Sequence, residues 1–284
     1  MIISVASGKG GTGKTTIATS LALSVGAGIR LLDCDVEEPN AYLFLHPEIH
    51  SQRTVTVPVP TVDEEKCTRC GKCMEICRFK AIVLIANSIL AFPELCHGCG
   101  GCLEICPEKA ITETTRNVGM LETGSRNGLE FAHGRLRVGE AMSPPLIREV
   151  RSIAVDDKPT IVDAPPGTSC PVITTIKGTD FVLLVTEPTP FGLHDLKLAV
   201  EAVDILGIPR GLVINRSDMG DHEVWKYAEE VNLPILMEIP FDRSIAEVYS
   251  RGVTIVEAKP EWKEKFTQLY QDIEFMIHKA GTSL

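Results

Sequence analysis

Short apolar runs separated by glycine- and proline-bearing turns set the rhythm of this chain. Residues 2–7, 29–33, 160–163, 181–186, 211–215 and 235–239 are such runs, and most lack polar alternation. That pattern predicts strands covered on both faces. Between them lie longer stretches free of internal breakers, 16–25, 144–154 and 193–206, which predict helices. Strands alternating with helices predict an α/β fold: a doubly wound, mostly parallel sheet with helices on both sides. Residues 51–59 differ, with Val55, Val57 and Val59 on one side and Pro58 and Pro60 interrupting. Proline cannot donate to a ladder, so this is an edge strand. Residues 82–85 and 89–92 flank Ala86, Asn87 and Ser88 as a hairpin, and 131–138 reads as another around Gly134. Near the end, Trp262, Phe266, Leu269, Ile273 and Met276 stripe a helix over 261–280.

The first strand runs into Gly8-Lys9-Gly10-Gly11-Thr12-Gly13-Lys14-Thr15-Thr16, which fits G-x-x-x-x-G-K-[ST] between a strand and a helix. Glycines let the backbone wrap a phosphate and aim N–H groups at it. The helix N-terminus favours the anion. Lys14 is expected at the β/γ-phosphates of ATP and the Thr15 hydroxyl on Mg²⁺. Two further apolar strands end in carboxylates, Asp33 followed by Asp35, and Asp163. Acids at strand ends beside such a loop can reach Mg²⁺ or the attacking water. The plainer reading of Asp33 and Asp35 is capping of a short helix over 40–45.

With Lys9 inside the loop, G-K-G-G-T-G-K-T-T resembles the deviant P-loop of the MinD/Mrp/nitrogenase-iron-protein ATPases, and the likeness spans essentially the whole chain. The resemblance implies a homodimer with ATP between subunits and Lys9 reaching the partner's phosphates. It implies that Asp35 orients the water and that Asp33 sits near the metal. It makes 163–168 the second switch, with the Gly167 N–H sensing the γ-phosphate. It places Asn215 and the loop at Pro240 beside the base. Cys170 lies seven residues after Asp163, the offset of a cluster-ligating cysteine in the nitrogenase iron protein. The default for Cys170 is a buried thiol at a helix start, and Cys34 reads as an inert buried thiol.

Eight of the ten cysteines lie between positions 67 and 106. Cys67-x₂-Cys70-x₂-Cys73-x₃-Cys77 repeats 29 residues later as Cys96-x₂-Cys99-x₂-Cys102-x₃-Cys106-Pro107. This is the run of two-cluster bacterial ferredoxins, in which the fourth cysteine ligates the other cluster. The expected sets are Cys67, Cys70, Cys73 with Cys106, and Cys96, Cys99, Cys102 with Cys77, each holding a 4Fe–4S cluster. Zinc competes for C-x₂-C pairs, but the doubled three-plus-one run favours iron–sulfur. Arg78 stands where the run usually has proline, and a cation there is expected to raise one cluster's potential. The domain division is therefore residues 1–60 and 115–284 for the ATPase and 61–114 for an inserted ferredoxin-like α+β domain.

The balance of 28 basic and 38 acidic residues, net −10, argues against nonspecific nucleic-acid binding. No apolar run approaches the ~20 residues of a membrane helix, and the chain is expected to be cytoplasmic. MinD ends in a membrane-binding helix. Here the last helix carries Lys263, Lys265 and Lys279 against Glu261, Glu264, Asp272 and Glu274, so its stripe reads as core. The histidines, His194 included, read as surface residues or caps.

The leading expectation is a Mg-dependent ATPase whose dimer switching drives electron transfer or metallocluster assembly with a redox or cluster-accepting protein. The alternatives are a MinD/ParA-like spatial-organising ATPase and an amide-forming synthase of the cobyrinic acid diamide synthase type.

Overall fold

The computed structural model describes residues 1–155 and 157–281. Its first half runs β1 (Ile2–Ala6), α1 (Lys14–Val25), β2 (Arg30–Asp33), α2 (Tyr42–Leu45), β3 (Glu48–Val62), α3 (Lys72–Ile76), β4 (Ile82–Ile85), β5 (Ser88–Ala91), α4 (Gly101–Glu104), β6 (Ile111–Arg126) and β7 (Leu129–Leu136). There follow α5 (Pro144–Arg151), β8 (Thr160–Asp163), α6 (Cys170–Ile176), β9 (Phe181–Thr186), α7 (Pro190–Ile205), β10 (Arg210–Asn215), α8 (Glu223–Glu230), β11 (Ile235–Ile239), α9 (Arg243–Tyr249), α10 (Ile255–Ala258) and α11 (Glu261–Gly281). One sheet has the order β11-β10-β9-β1-β8-β2-β7-β6-β3. Every pairing from β11 to β7 is parallel, and β6 and β3 add antiparallel strands at one edge.

Alternation along buried strands divides the core. Ile3, Val5, Phe181, Leu183 and Val185 face α1 and α11, while Ala6, Val182 and Leu184 face α6, α7 and α8. The α11 stripe packs as its spacing predicts: Trp262, Phe266, Leu269 and Ile273 are buried, with Met276 against them. Among the described residues no helix is long and apolar enough to cross a membrane.

β3 is the edge strand expected from its prolines, but longer, pairing with β6 from Glu48↔Ser125 to Val62↔Ile111. The expected boundaries at 60/61 and 114/115 thus fall inside continuous strands. The cysteine segment sits at the tip of this ladder with α3, α4 and the β4–β5 hairpin, which turns at Ala86 and Asn87 as predicted.

The hairpin expected within 131–138 is not there. Residues 131–136 belong to one strand, β7, and the turn lies upstream at Asn127 and Gly128. Their φ values of 50° and 83° are what a two-residue hairpin loop needs. Gly134 serves packing instead: a Cβ there would lie 2.7 Å from Val36 and 2.9 Å from Leu146. A second correction concerns His133, which is buried rather than surface. Its Nε2 lies 2.6 Å from Glu122 Oε2, its cross-strand partner. Burial lowers its pKa, and the Glu122 hydrogen bond opposes that. A third is Cys170, which does open α6 but is exposed, while the buried residues of that helix are Val172, Thr175 and Ile176.

Candidate functional site

Parallel strands deliver their C-terminal ends to one edge, and the chain's motifs sit there. The loop after β1 lies against α7 so closely that a Cβ on Gly8 would fall 2.1 Å from the Asp195 carbonyl oxygen. Gly13 takes φ 97°, and a Cβ there would meet the Asn215 amide at 2.6 Å. Lys14 and Thr15 open α1 with buried side chains. Thr15 Oγ1 donates to Asp163 Oδ2 at 2.6 Å. Asp163 Oδ1 is buried without a hydrogen-bond partner among the described residues. An orphaned carboxylate oxygen beside a hydroxyl is a fitting donor pair for a hard cation such as Mg²⁺.

Asp33 has a different set of partners. One oxygen accepts from the Asp35 N–H and the other from the N–H groups of Asn40 and Ala41, at 3.0–3.1 Å. Its carboxylate therefore folds the loop that carries Asp35 and leads into α2, whose N-cap residue, Ala41, has no side-chain cap. Burial pushes three carboxyls up. Asp163 rises to about 7, opposed by Thr15 and Lys14. Asp35 rises to about 6, again opposed by Lys14. Asp33 is also raised, first by burial and then by Asp163.

Gly167 and Asn215 are engaged in ways the motifs do not reveal. The Gly167 N–H, expected to face a phosphate, donates to the Ser7 carbonyl at 3.0 Å. Asn215 Nδ2 donates to the Thr12 carbonyl at 2.9 Å, and its Oδ1 accepts from the Arg216 N–H. Both residues brace the glycine loop in this conformation. Beside it, Gly13, Thr16, Asn215, Pro240, Phe241 and Tyr249 line a cleft of ≈ 270 Å³. Lys9 Nζ lies 3.7 Å from Glu187 Oε2, and Arg216 Nη1 lies 2.8 Å from the other Glu187 oxygen. No motif marks Glu187; the signal for it in the sequence is an acid at the end of an apolar strand, as with Asp33 and Asp163.

The eight cysteines of the repeat line two cavities. One is bordered by Cys77, Cys96, Cys99 and Cys102, the other by Cys67, Cys70, Cys73 and Cys106. The 29-residue repeat is written into the backbone. Arg69 and Gly98, Gly71 and Gly100, and Lys80 and Lys109 all have positive φ. The fourth cysteines match too: Cys77 Sγ accepts from the Ala81 N–H at 3.2 Å and Cys106 Sγ from the Ala110 N–H at 3.3 Å. Burial and the nearby Cys96 push the Cys102 thiol up to about 11, so a full set of thiolates needs a cationic centre. Four thiols border each cavity, and thiols are the donors that a thiolate-ligated metal group takes. Arg78, the expected nearby cation, is exposed.

The profile of the CobQ/CobB/MinD/ParA nucleotide binding domain matches residues 3–255. An uncharacterized protein of Methanocaldococcus jannaschii is 33% identical over 285 residues, covering 98% of both chains. An iron-sulfur cluster carrier protein of Synechocystis is 24% identical over 279 residues, covering 92% of this chain and 65% of that protein. The septum site-determining protein MinD of Pyrococcus horikoshii, solved with Mg-ADP, superposes with a TM-score of 0.60 at 20% identity, covering 96% and 95% of the two chains.

Proposed function

The chain belongs to the CobQ/CobB/MinD/ParA nucleotide-binding family of P-loop ATPases, and on that premise we propose that it is an ATPase coupled to iron–sulfur chemistry. ATP and Mg²⁺ bind at the C-terminal edge of the sheet. Gly8 to Thr16 cradle the phosphates, with Lys14 on their charge. Thr15 and Asp163 hold the metal, and Asp33 shapes the loop beside it. Asp35 orients the attacking water. The base lies in the cleft by Asn215 and Pro240. Closure of a homodimer would break Lys9 from Glu187 and carry it to the partner's nucleotide. It would also release the Gly167 N–H from Ser7 toward the γ-phosphate.

Residues 61–114 act as the inserted ferredoxin-like domain, with two 4Fe–4S clusters as one-electron stores. One observation carries this reading: each cysteine run gives three residues to one cavity and its fourth to the other. A chain built for one zinc per run has no reason to exchange its fourth ligand. Relatives named as iron-sulfur cluster carriers support the reading. The output is electron transfer to, or cluster assembly on, a separate protein. α11 spends its apolar face on the core, so that face is not free to lie on a membrane.

The test is light scattering and phosphate release on anaerobically reconstituted protein. A dimer with a non-hydrolysable ATP analogue, a monomer with ADP and Mg-dependent hydrolysis are expected. A monomer with both nucleotides overturns the switching dimer.

A further inference from the structure

Arg116 lies on β6 beside the cysteine-lined tip, and its side chain is 8% exposed. One nitrogen, Nη1, pairs with Glu140 Oε2, whose side chain is 1% exposed. The other two, Nε and Nη2, are buried with no hydrogen-bond partner among the described residues. Leaving two donors of a buried guanidinium unmet is costly unless a negative centre faces them. Besides Glu140, the negative groups that act on it are Glu94, which is exposed, and Cys96, while Arg137 opposes them. Cys96 is packed into the ATPase core with Val36, Val118 and Leu146. Its Sγ lies 4.0 Å from the Pro58 carbonyl, and Pro58 is next to Val57, the cross-strand partner of Arg116.

Glu140 leads back to the nucleotide edge. Its Oε1 accepts from the Met142 N–H at 3.1 Å. The next residue, Ser143, donates from Oγ to Glu37 Oε1 at 3.0 Å. Glu37 is two residues past Asp35. The same loop is clipped to β7 where the Leu136 N–H donates to the Val36 carbonyl at 2.9 Å. In the other cavity, Cys73 packs in a satellite core with Ile82, Ile89 and Ile111, and its cysteines are not among the buried members of the core that holds Cys96.

We propose that Arg116, positioned by Glu140, tunes the cluster held by Cys77, Cys96, Cys99 and Cys102, and that the loop of Asp35 and Glu37 moves it when nucleotide changes. The inference rests on the iron–sulfur reading above and adds which cluster feels the nucleotide. Four thiolates leave that site negative, more so after one electron enters. A buried cation favours the reduced state and raises the potential. Displacing the guanidinium lowers it. Arg78 cannot substitute, because a solvated charge is screened.

The experiment is an EPR-monitored potentiometric titration of reconstituted holoprotein, with dithionite as reductant, in ADP and in a non-hydrolysable ATP analogue. Iron content is measured first, and the Cys99→Ala variant assigns the signals. In wild type one potential moves with nucleotide and the other stays. A tenfold change in the ATP-over-ADP preference on reduction corresponds to about 59 mV for a one-electron couple. Arg116→Gln lowers that potential and erases its nucleotide dependence, and Arg116→Lys restores part of both. Ser143→Ala, further from the cluster, keeps the ADP potential and loses the nucleotide shift, so the proposal stays testable if Arg116→Gln does not fold. Two clusters whose potentials ignore nucleotide in wild type, or a Ser143→Ala protein that keeps the full shift, overturn the inference alone. Absence of iron–sulfur signals in wild type removes the reading beneath it as well.

Discussion

Lys9 Nζ and Glu187 Oε2 lie 3.7 Å apart, so the lysine that distinguishes this glycine loop is held within its own subunit. The pair is part-exposed, and such pairs contribute about 1 kcal/mol or less. Dimer closure can break it readily. If Lys9 stabilises charge on a partner's nucleotide, Lys9→Ala lowers phosphate release by on the order of 10³-fold while nucleotide binding persists. Mixing Lys9→Ala with Asp35→Ala subunits restores part of the rate, because one composite site then holds both groups. A single-subunit role predicts no recovery in that mixture.

Elements announced by local pattern are where the sequence places them. The buried strands, α1, α11 and the β4–β5 hairpin depend on periodicity and breakers within a dozen residues. The failures are nonlocal. Gly134 resembles a turn residue until Val36 and Leu146 are seen to occupy the space its side chain would take. The Asn127-Gly128 pair is the stronger turn signal in the sequence. His133 carries no mark of burial, because its partner Glu122 arrives from a neighbouring strand. In the site, strand-end acids were readable as a class. Which oxygen is orphaned and which is spent on backbone N–H groups was not, since that depends on how the loop at Asn40 and Ala41 folds back.

Anaerobic reconstitution of the wild type is expected to give roughly eight irons per chain, two 4Fe–4S clusters. Cys70→Ala and Cys99→Ala each remove about half of it, because they border different cavities. Exchange of fourth ligands makes a sharper case. Cys106→Ala, though it belongs to the second run, disturbs the cluster that Cys70 serves. Iron and sulfide analysis with EPR of the remaining cluster decides. Stoichiometric zinc with no iron would refute the assignment.

Phe266 is fully buried between α11 and the sheet. Phe266→Ala leaves a cavity and costs about 3–5 kcal/mol of stability. Chemical denaturation of the apo protein measures it. Iron content stays at the wild-type level under native conditions, because the cysteine cavities lie at the far end of the β3–β6 ladder. A helix that merely rested on a membrane would tolerate the change with little loss of stability.

Metal binding and stability respond to pH with opposite signs. Burial raises Asp163 to about 7 and Asp35 to about 6 in the metal-free protein. Unfolded, both titrate near 4. Between those limits the folded state holds more protons than the unfolded one, so these groups contribute stability below about pH 4 that is lost as pH rises through 6–7. Asp163→Asn removes that loss, and its advantage over wild type in apo protein grows from pH 5 to 7.5. Mg²⁺ needs the ionised carboxylate, so Mg-nucleotide affinity runs the other way. It climbs with pH up to about 7 and then levels off, with proton uptake by buffer on binding near pH 6. Calorimetry in two buffers of different ionisation enthalpy reads the released protons directly. In Asp163→Asn the slope of affinity against pH flattens. A wild-type slope in that variant would mean that a different carboxylate meets the metal, and Asp35 would be the next to test.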